Sequence, residues 1–117
     1  MKITRVSLAV DGNKDYYQFW PFVAKRWNDW GVKPTLVVIS DKKLDIDESL
    51  GDVRYVKPVE GIPTKHQAQI IRFFSAASFP EDVCITSDID MMHLNKDYFL
   101  GSVKRYSDDK IVIYSAD

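Results

Sequence analysis

Residues 83–92 read VCITSDIDMM, and the predictions of the fold and of the functional site both start from this stretch. Its first four residues, 83–86, form a short apolar run of the kind found in strands that are buried on both faces. The run ends at Ser87, and the carboxylates of Asp88 and Asp90 follow, separated by one residue. The stretch therefore predicts a buried strand with an acidic carboxyl end.

Strand and helix patterns alternate along the rest of the chain. Short runs rich in β-branched and apolar residues predict four further strands, at residues 3–10, 36–39, 53–56 and 111–114. Apolar side chains at three- and four-residue spacing predict helices at residues 15–30 and 64–79, and residues 95–99 predict one helical turn. This alternation indicates an α/β fold with a mostly parallel, Rossmann-like sheet flanked by helices, in a single domain over residues 1–117.

Single residues in the sequence predict where the two helices begin, break and end. Pro21 lies inside the first helix and predicts a kink or a broken first turn, and Gly31 predicts a left-handed residue at its end. Thr64 and Gln67 have the spacing of a capping box at the start of the second helix. The second helix is expected to be mostly buried, with an inward face made of Ala68, Ile71, Phe74 and Ser78.

Composition and charge exclude several functional classes. The 117 residues include 16 Lys and Arg and 17 Asp and Glu, so the formal net charge is -1 and there is no basic excess for binding nucleic acid. No run reaches the roughly 18 apolar residues of a membrane span. Arg5 interrupts the first apolar run, so no signal peptide is expected and the predicted location is the cytoplasm. The aromatic stripe of residues 16–30 is mostly core, and its exposed part would suit an interface such as that of a homodimer.

The carboxyl ends of the predicted strands carry small polar or acidic residues. Parallel sheets of this kind bind ligands beyond those ends. The ends carry Asp11, Gly12 and Asn13 after the first strand, Asp41 after the second, and the acidic stretch 87–90 after the strand at 83–86. At one edge they are expected to form an acidic pocket for a divalent cation. Asp88 and Asp90 are the predicted ligands, because carboxylate oxygens suit Mg²⁺ or Mn²⁺.

With its preceding helix and the N-terminal strand, VCITSDIDMM resembles the nucleotide-sugar-binding half of the GT-A glycosyltransferases. The signature of that family is a D-x-D at the end of a sheet strand, here Asp88-Ile89-Asp90. The resemblance implies that Asp90 ligates a divalent metal, usually Mn²⁺, which bridges the diphosphate of the donor. It implies that Asp88 contacts the ribose or the metal, and that the donor is a UDP-sugar, most often a hexose.

The resemblance also assigns donor-binding residues by position. The residues after the first strand correspond to the place where these enzymes hold the nucleoside, and Asp41 is placed like a residue that often meets the base. Arg72 is placed like a basic residue near the donor in glycogenin-like members, where its guanidinium would pair with the D-x-D carboxylates or a diphosphate oxygen. The implied donor-binding residues are Val10, Asp11, Gly12, Asn13, Asp41, Arg72, Asp88 and Ile89.

The chain is shorter than full GT-A enzymes, which continue with a region that binds the acceptor and, in inverting members, supplies the catalytic base. The sequence is therefore interpreted either as a naturally minimal transferase or as the donor-binding half of a longer protein. The acceptor and the catalytic base stay unassigned. Asp117 is a candidate only for reaching the acceptor side.

Three other classes of protein stay open. The first is a non-catalytic module that binds UDP or a nucleotide sugar with a divalent metal and transfers nothing. The second is a phosphotransfer domain, since haloacid-dehalogenase-type phosphatases also carry D-x-D after a strand, although theirs belongs to the first strand of the core fold. The third is a structural interaction domain, which explains the aromatic residues and leaves the acidic strand ends without a purpose.

Overall fold

The computed structural model describes residues 1–114, so Asp117, the acceptor-side candidate, lies outside the described residues. The described chain forms a four-stranded, all-parallel sheet flanked by helices, which confirms the predicted α/β class and is compatible with a Rossmann-like fold. The strands are β1 (Arg5–Asp11), β2 (Lys33–Ile39), β3 (Asp52–Val56) and β4 (Cys84–Thr86). The helices are α1 (Lys14–Tyr17), α2 (Trp20–Asp29) and α3 (Thr64–Ala77).

The order of the strands across the sheet is β3-β2-β1-β4. The chain therefore moves outward from β1 to β2 and β3, and then crosses back to place β4 on the other side of β1. Right-handed crossovers put the connecting helices of the two directions on opposite faces of such a sheet. The packing agrees, because α2 contacts the core that includes Leu8 and Leu36, whereas α3 contacts Val37 and Ile39 through Ala68.

The break predicted at Pro21 separates α1 from α2, and Pro21 occupies the first turn of α2, where its missing N–H costs nothing. Gly31 has the left-handed φ of 77° that was predicted for the helix end. The inward face of α2 holds two tryptophans, Trp20 and Trp27, both with no exposed surface. Phe22, on the outward side of α2, remains 64% exposed.

The two buried tryptophans give a matched pair of variants. The indole N–H of Trp20 donates to the Asp47 carbonyl at 2.8 Å, whereas that of Trp27 has no partner among the described residues. Substitution by Phe shortens both rings equally, so we expect Trp20→Phe to cost about 1 kcal/mol more stability than Trp27→Phe, the net value of one hydrogen bond. Urea unfolding of both variants measures the difference, and equal losses would contradict it.

The helix α3 is less buried than its sequence predicts. Ala68 and Ser75 are buried, but Phe74 is 67% exposed and Ser78 is also exposed, so the predicted inward face is wrong at those two positions. The reason is helical rotation: Ala68 and Ser75 lie seven residues apart and share a face, whereas Phe74 is turned about 100° from Ser75. The sheet beneath offers small side chains, including Ser7, whose hydroxyl donates to the Arg72 carbonyl at 2.6 Å.

The predicted capping box at the start of α3 is also wrong. Pro63 precedes the first helical residue, and no side chain caps the helix there. The Thr64 hydroxyl donates instead to the Asp11 carboxylate at 2.9 Å, and the Gln67 amide bonds the backbone of the preceding loop at Val59 and Ile62. Tertiary partners have therefore replaced the local reciprocal pair.

The last predicted strand is absent from the part of the chain that the structure describes. Residues 111–114 pair with no strand, because β4 has only β1 as a partner and ends the sheet. Ile111 is 94% exposed and Ile113 is 85% exposed, while Val112 and Tyr114 pack against the core. The predicted helical turn at 95–99 is present slightly later, as one wide turn at Asp97–Gly101.

A buried arginine ties the amino-terminal edge of the sheet together. Arg5 on β1 is 7% exposed, and it donates to Thr35 on β2 and to Asp52 on β3, each at 2.7 Å. It also donates to Asp82, just before β4, at 2.8 Å. Its guanidinium carbon lies 3.8 Å from the centre of the Phe79 ring. One side chain thus links all four strands at the edge opposite the predicted site.

Candidate functional site

The point where the order of the strands reverses identifies the edge to examine. Strand order reverses between β1 and β4, and in open parallel sheets ligands bind beyond the carboxyl ends of the strands at such a point. The β1 end carries Asp11, and Asp88 follows β4 by two residues. Both residues therefore lie at the carboxyl edge, beside the crevice that such a reversal creates, but Asp11 stands four positions beyond Ser7, where the pairing of β1 with β4 ends.

An ion pair stands at the β4 side of this crevice. The Arg72 guanidinium on α3 pairs with the Asp88 carboxylate, the first of the two partners predicted for it. The Arg72 side chain is 20% exposed and its Nε, which is buried, has no hydrogen-bond partner among residues 1–114. The Arg72 backbone is held on β1 through Ser7. The crevice thus contains a fixed cation beside a carboxylate that is more than half exposed.

The side chains of residues 88–90 alternate between exposed and buried positions. Ile89 is 5% exposed and belongs to the core beneath the sheet. Its burial anchors the turn, so that Asp88 and Asp90 on either side both lie exposed. The Ile89 side chain therefore packs inside the protein, and only its backbone is available to a ligand.

The β1 end is organised by hydrogen bonds of its own. The Asp11 carboxylate accepts from the Thr64 hydroxyl at 2.9 Å and from the Asn13 backbone N–H at 3.0 Å. The Asn13 side chain accepts from the Asp15 N–H and caps the short α1. Gly12 is exposed, with open space where a Cβ would project, whereas the Val10 side chain is buried in the core. Gly12 can thus admit a ligand close to the backbone.

Asp41 lies apart from the other predicted residues. It lines a shallow cleft of about 230 Å³ at the end of β2, with Lys42, Lys43 and Tyr55 among its neighbours. This cleft and the larger one beside β4 share no lining residue among those described. The expected single acidic pocket is therefore divided, because β2 and β4 lie on opposite sides of β1.

A larger cleft of about 770 Å³ begins at Arg72 and Asp88 and runs along β4 to Met1. Its volume falls within the range of about 300 to 1,000 Å³ that small-molecule sites occupy. The cleft connects the ion pair to the outer edge of the sheet. The sequence did not predict it, because its walls come from segments far apart in the chain.

His93 also lines this cleft, a position that the sequence did not indicate. His93 is 4% exposed, and its Nε2 lies 3.2 Å from the Ser87 hydroxyl. Its ring packs against Trp27 and Phe99, with centroid distances of 4.6 and 4.3 Å. Burial lowers the pKa of His93, against the opposing effect of a hydrogen bond to the Met91 backbone. A neutral imidazole therefore fixes the segment that follows Asp90.

The donor atoms of the crevice can be compared with the needs of a divalent cation. No group of three or more His, Cys, Asp or Glu side chains gathers at one point within residues 1–114. Asp88 and Asp90 supply two carboxylates, and Mg²⁺ commonly takes one or two such ligands and completes its shell with water and substrate phosphates. Two carboxylates would match that number, and the described residues offer no third ligating side chain beside them.

Comparison with models of known protein families, with curated proteins and with solved structures gave no match to this chain. The residues that the structure describes contain no helix long and apolar enough to cross a membrane.

Proposed function

We propose that this chain binds the diphosphate of a UDP-sugar donor, together with Mn²⁺ or Mg²⁺, at the crevice between β1 and β4. We further propose that it is a glycosyltransferase that passes the sugar to an acceptor still to be identified. Asp88 and Asp90 are the proposed metal-binding residues, and Arg72 is the proposed partner of a diphosphate oxygen. The GT-A resemblance of residues 83–92 is what points to a UDP-sugar.

The observation that carries the proposal is the Arg72–Asp88 ion pair at the point where strand order reverses. A diphosphate and its metal ion together need a positive and a negative protein group at one place. Here the Arg72 guanidinium and the Asp88 carboxylate are adjacent. A guanidinium matches phosphate oxygens in shape and charge. If a diphosphate oxygen replaced Asp88 as the partner of Arg72, the Asp88 carboxylate would become available to a cation.

The proposed role of each residue follows from its placement. Asp90 is exposed and would ligate the ion, while Asp88 would hold the ion or the ribose. Gly12 would let the nucleoside approach the end of β1, where Thr64 keeps the Asp11 carboxylate in position. When bound, the ion would act as a Lewis acid that stabilises the charge on the departing diphosphate.

Calorimetry with UDP, GDP, CMP and ADP, each with Mn²⁺ and again with EDTA, tests the proposal. We expect UDP to bind at micromolar concentrations with Mn²⁺ and to lose most of that affinity with EDTA, because the diphosphate and the carboxylates repel each other without the cation. ADP with Mn²⁺ is the control for diphosphate binding without uridine. Absence of binding by every nucleotide would overturn the proposal.

The alternative function is a module that binds UDP or a nucleotide sugar with a divalent metal and transfers nothing. The two functions share the crevice and differ in their products. Incubation with UDP-hexoses and Mn²⁺ separates them: release of UDP with free or transferred sugar supports the transferase, and binding without release supports the module.

A further inference from the structure

The outer edge of β4 has backbone groups that no described residue satisfies. The carbonyl of Val83 accepts from Arg5 on β1 at 3.3 Å, and the N–H of Ser87 donates to Ser7 at the same distance. Backbone groups alternate between the two sides of a strand, so those of Cys84 and Thr86 point away from β1. Within residues 1–114 nothing pairs with them, and an exposed strand edge is a template for another strand.

The segment 110–114 has the side-chain pattern of the missing strand. Exposed Ile111 and Ile113 alternate with Val112 and Tyr114, which pack against the core, and the Tyr114 hydroxyl donates to the Phe99 carbonyl at 2.5 Å. A period of two with one buried face is typical of a strand at the surface of a sheet. This segment therefore lacks only a neighbouring strand.

The larger cleft separates these two features. Strand β4 lines one wall, and Ile111, Val112 and Ile113 line the other. Phe73 of α3 also lines the cleft and is 56% exposed. The Cys84 thiol donates to the Ala76 carbonyl at 3.7 Å, so Cys84 lies on the α3 face of β4.

We propose that residues 110–114 cross the cleft and pair with β4 as a fifth strand of the sheet. The movement would satisfy the outward backbone groups of Cys84 and Thr86. If Val112 stays on the core face, alternation turns Ile111 and Ile113 to the α3 face, beside Phe73. Two unsatisfied features, a polar strand edge and an exposed apolar face, would cover each other. The proposal does not depend on the function proposed for the crevice.

The occupant of the cleft is the chain's own segment, because that segment is already held nearby. The amino group of Met1 donates to the Val103 carbonyl at 3.0 Å and to the Lys104 carbonyl at 3.2 Å, which fixes the start of the final stretch beside the amino-terminal edge of the sheet. A short tether gives an effective concentration in the millimolar range, far above that of a second copy in dilute solution.

Disulfide formation with Cys84, the sole cysteine of the chain, tests the pairing. Side chains directly opposite each other on paired strands are close enough for a disulfide. We expect at least one of the variants Ile111→Cys and Ile113→Cys to form an internal disulfide under mild oxidation, seen as loss of both free thiols at monomer mass. Val112→Cys is the control and should keep its thiols, because residue 112 faces the other side.

Hydrogen exchange gives an independent measurement. In the parent chain the amides of Cys84 and Thr86 should exchange on the order of 100-fold more slowly than in the double variant Ile111→Asp/Ile113→Asp. Both substituted positions are exposed, so the described core is unaffected. Fast exchange in both proteins would overturn the proposal. Disulfide-linked dimers without the internal bond would overturn the assignment to the chain's own segment and identify a second copy as the occupant.

Discussion

Asp90→Asn is expected to weaken Mn²⁺-dependent UDP binding by about 100-fold or more, since even residues that only orient metal ligands contribute about 10- to 100-fold. The substitution keeps the size of the side chain and removes its charge. Asp90 lies exposed after the buried Ile89, so the fold should not change. Calorimetry with Mn²⁺ measures the loss, and circular dichroism checks that the variant is folded.

Two matched variants sharpen this test. Asp88→Asn should lose less affinity than Asp90→Asn, because it frees the Arg72 guanidinium for a diphosphate oxygen while it removes one carboxylate. Asp45→Asn alters an exposed aspartate in the loop between β2 and β3, and it should bind as the parent does. If Asp90→Asn binds UDP within about two-fold of the parent, a free-energy change of only about 0.4 kcal/mol, Asp90 is not a metal ligand.

Arg5→Met is expected to lower the free energy of unfolding by about 2 to 3 kcal/mol. Methionine keeps an apolar stem against Phe79 but leaves the Asp82 carboxylate and the Thr35 hydroxyl without their shared donor. Breaking a buried pair costs about 3 to 5 kcal/mol. The expected loss is smaller because the Asp52 side chain is 56% exposed and water screens its part of the network.

Acid titration gives this prediction a second readout. Hydrogen bonds from Arg5 and from Thr4 hold the pKa of Asp82 below its usual value. Such a group stabilises the fold above its unfolded pKa, near 3.9, and that stability is lost as pH falls through the lower folded value. In Arg5→Met the pKa of Asp82 should rise. The free energy of unfolding of this variant should therefore depend less on pH in that range than that of the parent.

Urea unfolding at pH 7 and pH 3 measures both effects. The two proteins should differ most at neutral pH and approach each other in acid. Asp52→Asn is the matched control and should cost less than about 1 kcal/mol, as exposed ion pairs do. Equal stability of Arg5→Met and the parent at pH 7 would show that the Arg5 network contributes nothing to the fold.

Signals that act within one element were read correctly from the sequence. The runs at 36–39 and 53–56 are strands, and Pro21 and Gly31 mark the helix boundaries that their backbone geometry requires. These features depend on sterics and on the spacing of apolar residues a few positions apart. The acidic residues Asp11, Asp41 and Asp88 do lie at or just after strand ends, although the topology separates Asp41 from the site at Arg72 and Asp88.

The predictions that failed depended on partners distant in sequence. Thr64 had the local spacing of a capping residue, but it bonds Asp11, 53 positions earlier. Phe74 belonged to an apolar pattern, and the rotation of α3 against the sheet leaves it exposed. Residues 111–114 have strand composition, but a strand also needs a neighbour, and β4 lies across a cleft from them.

The sequence by itself therefore determined four of the five predicted strands, the two main helical segments and where the acidic turn stands relative to its strand, because spacing and local sterics act over a few residues. Only the tertiary structure decided that Arg72 meets Asp88, that Thr64 meets Asp11, and that Asp41 lines a cleft apart from the one at Arg72 and Asp88. Those outcomes depend on strand order and helix rotation. Both are set by how whole faces pack together, and neither is encoded in the spacing of any single segment.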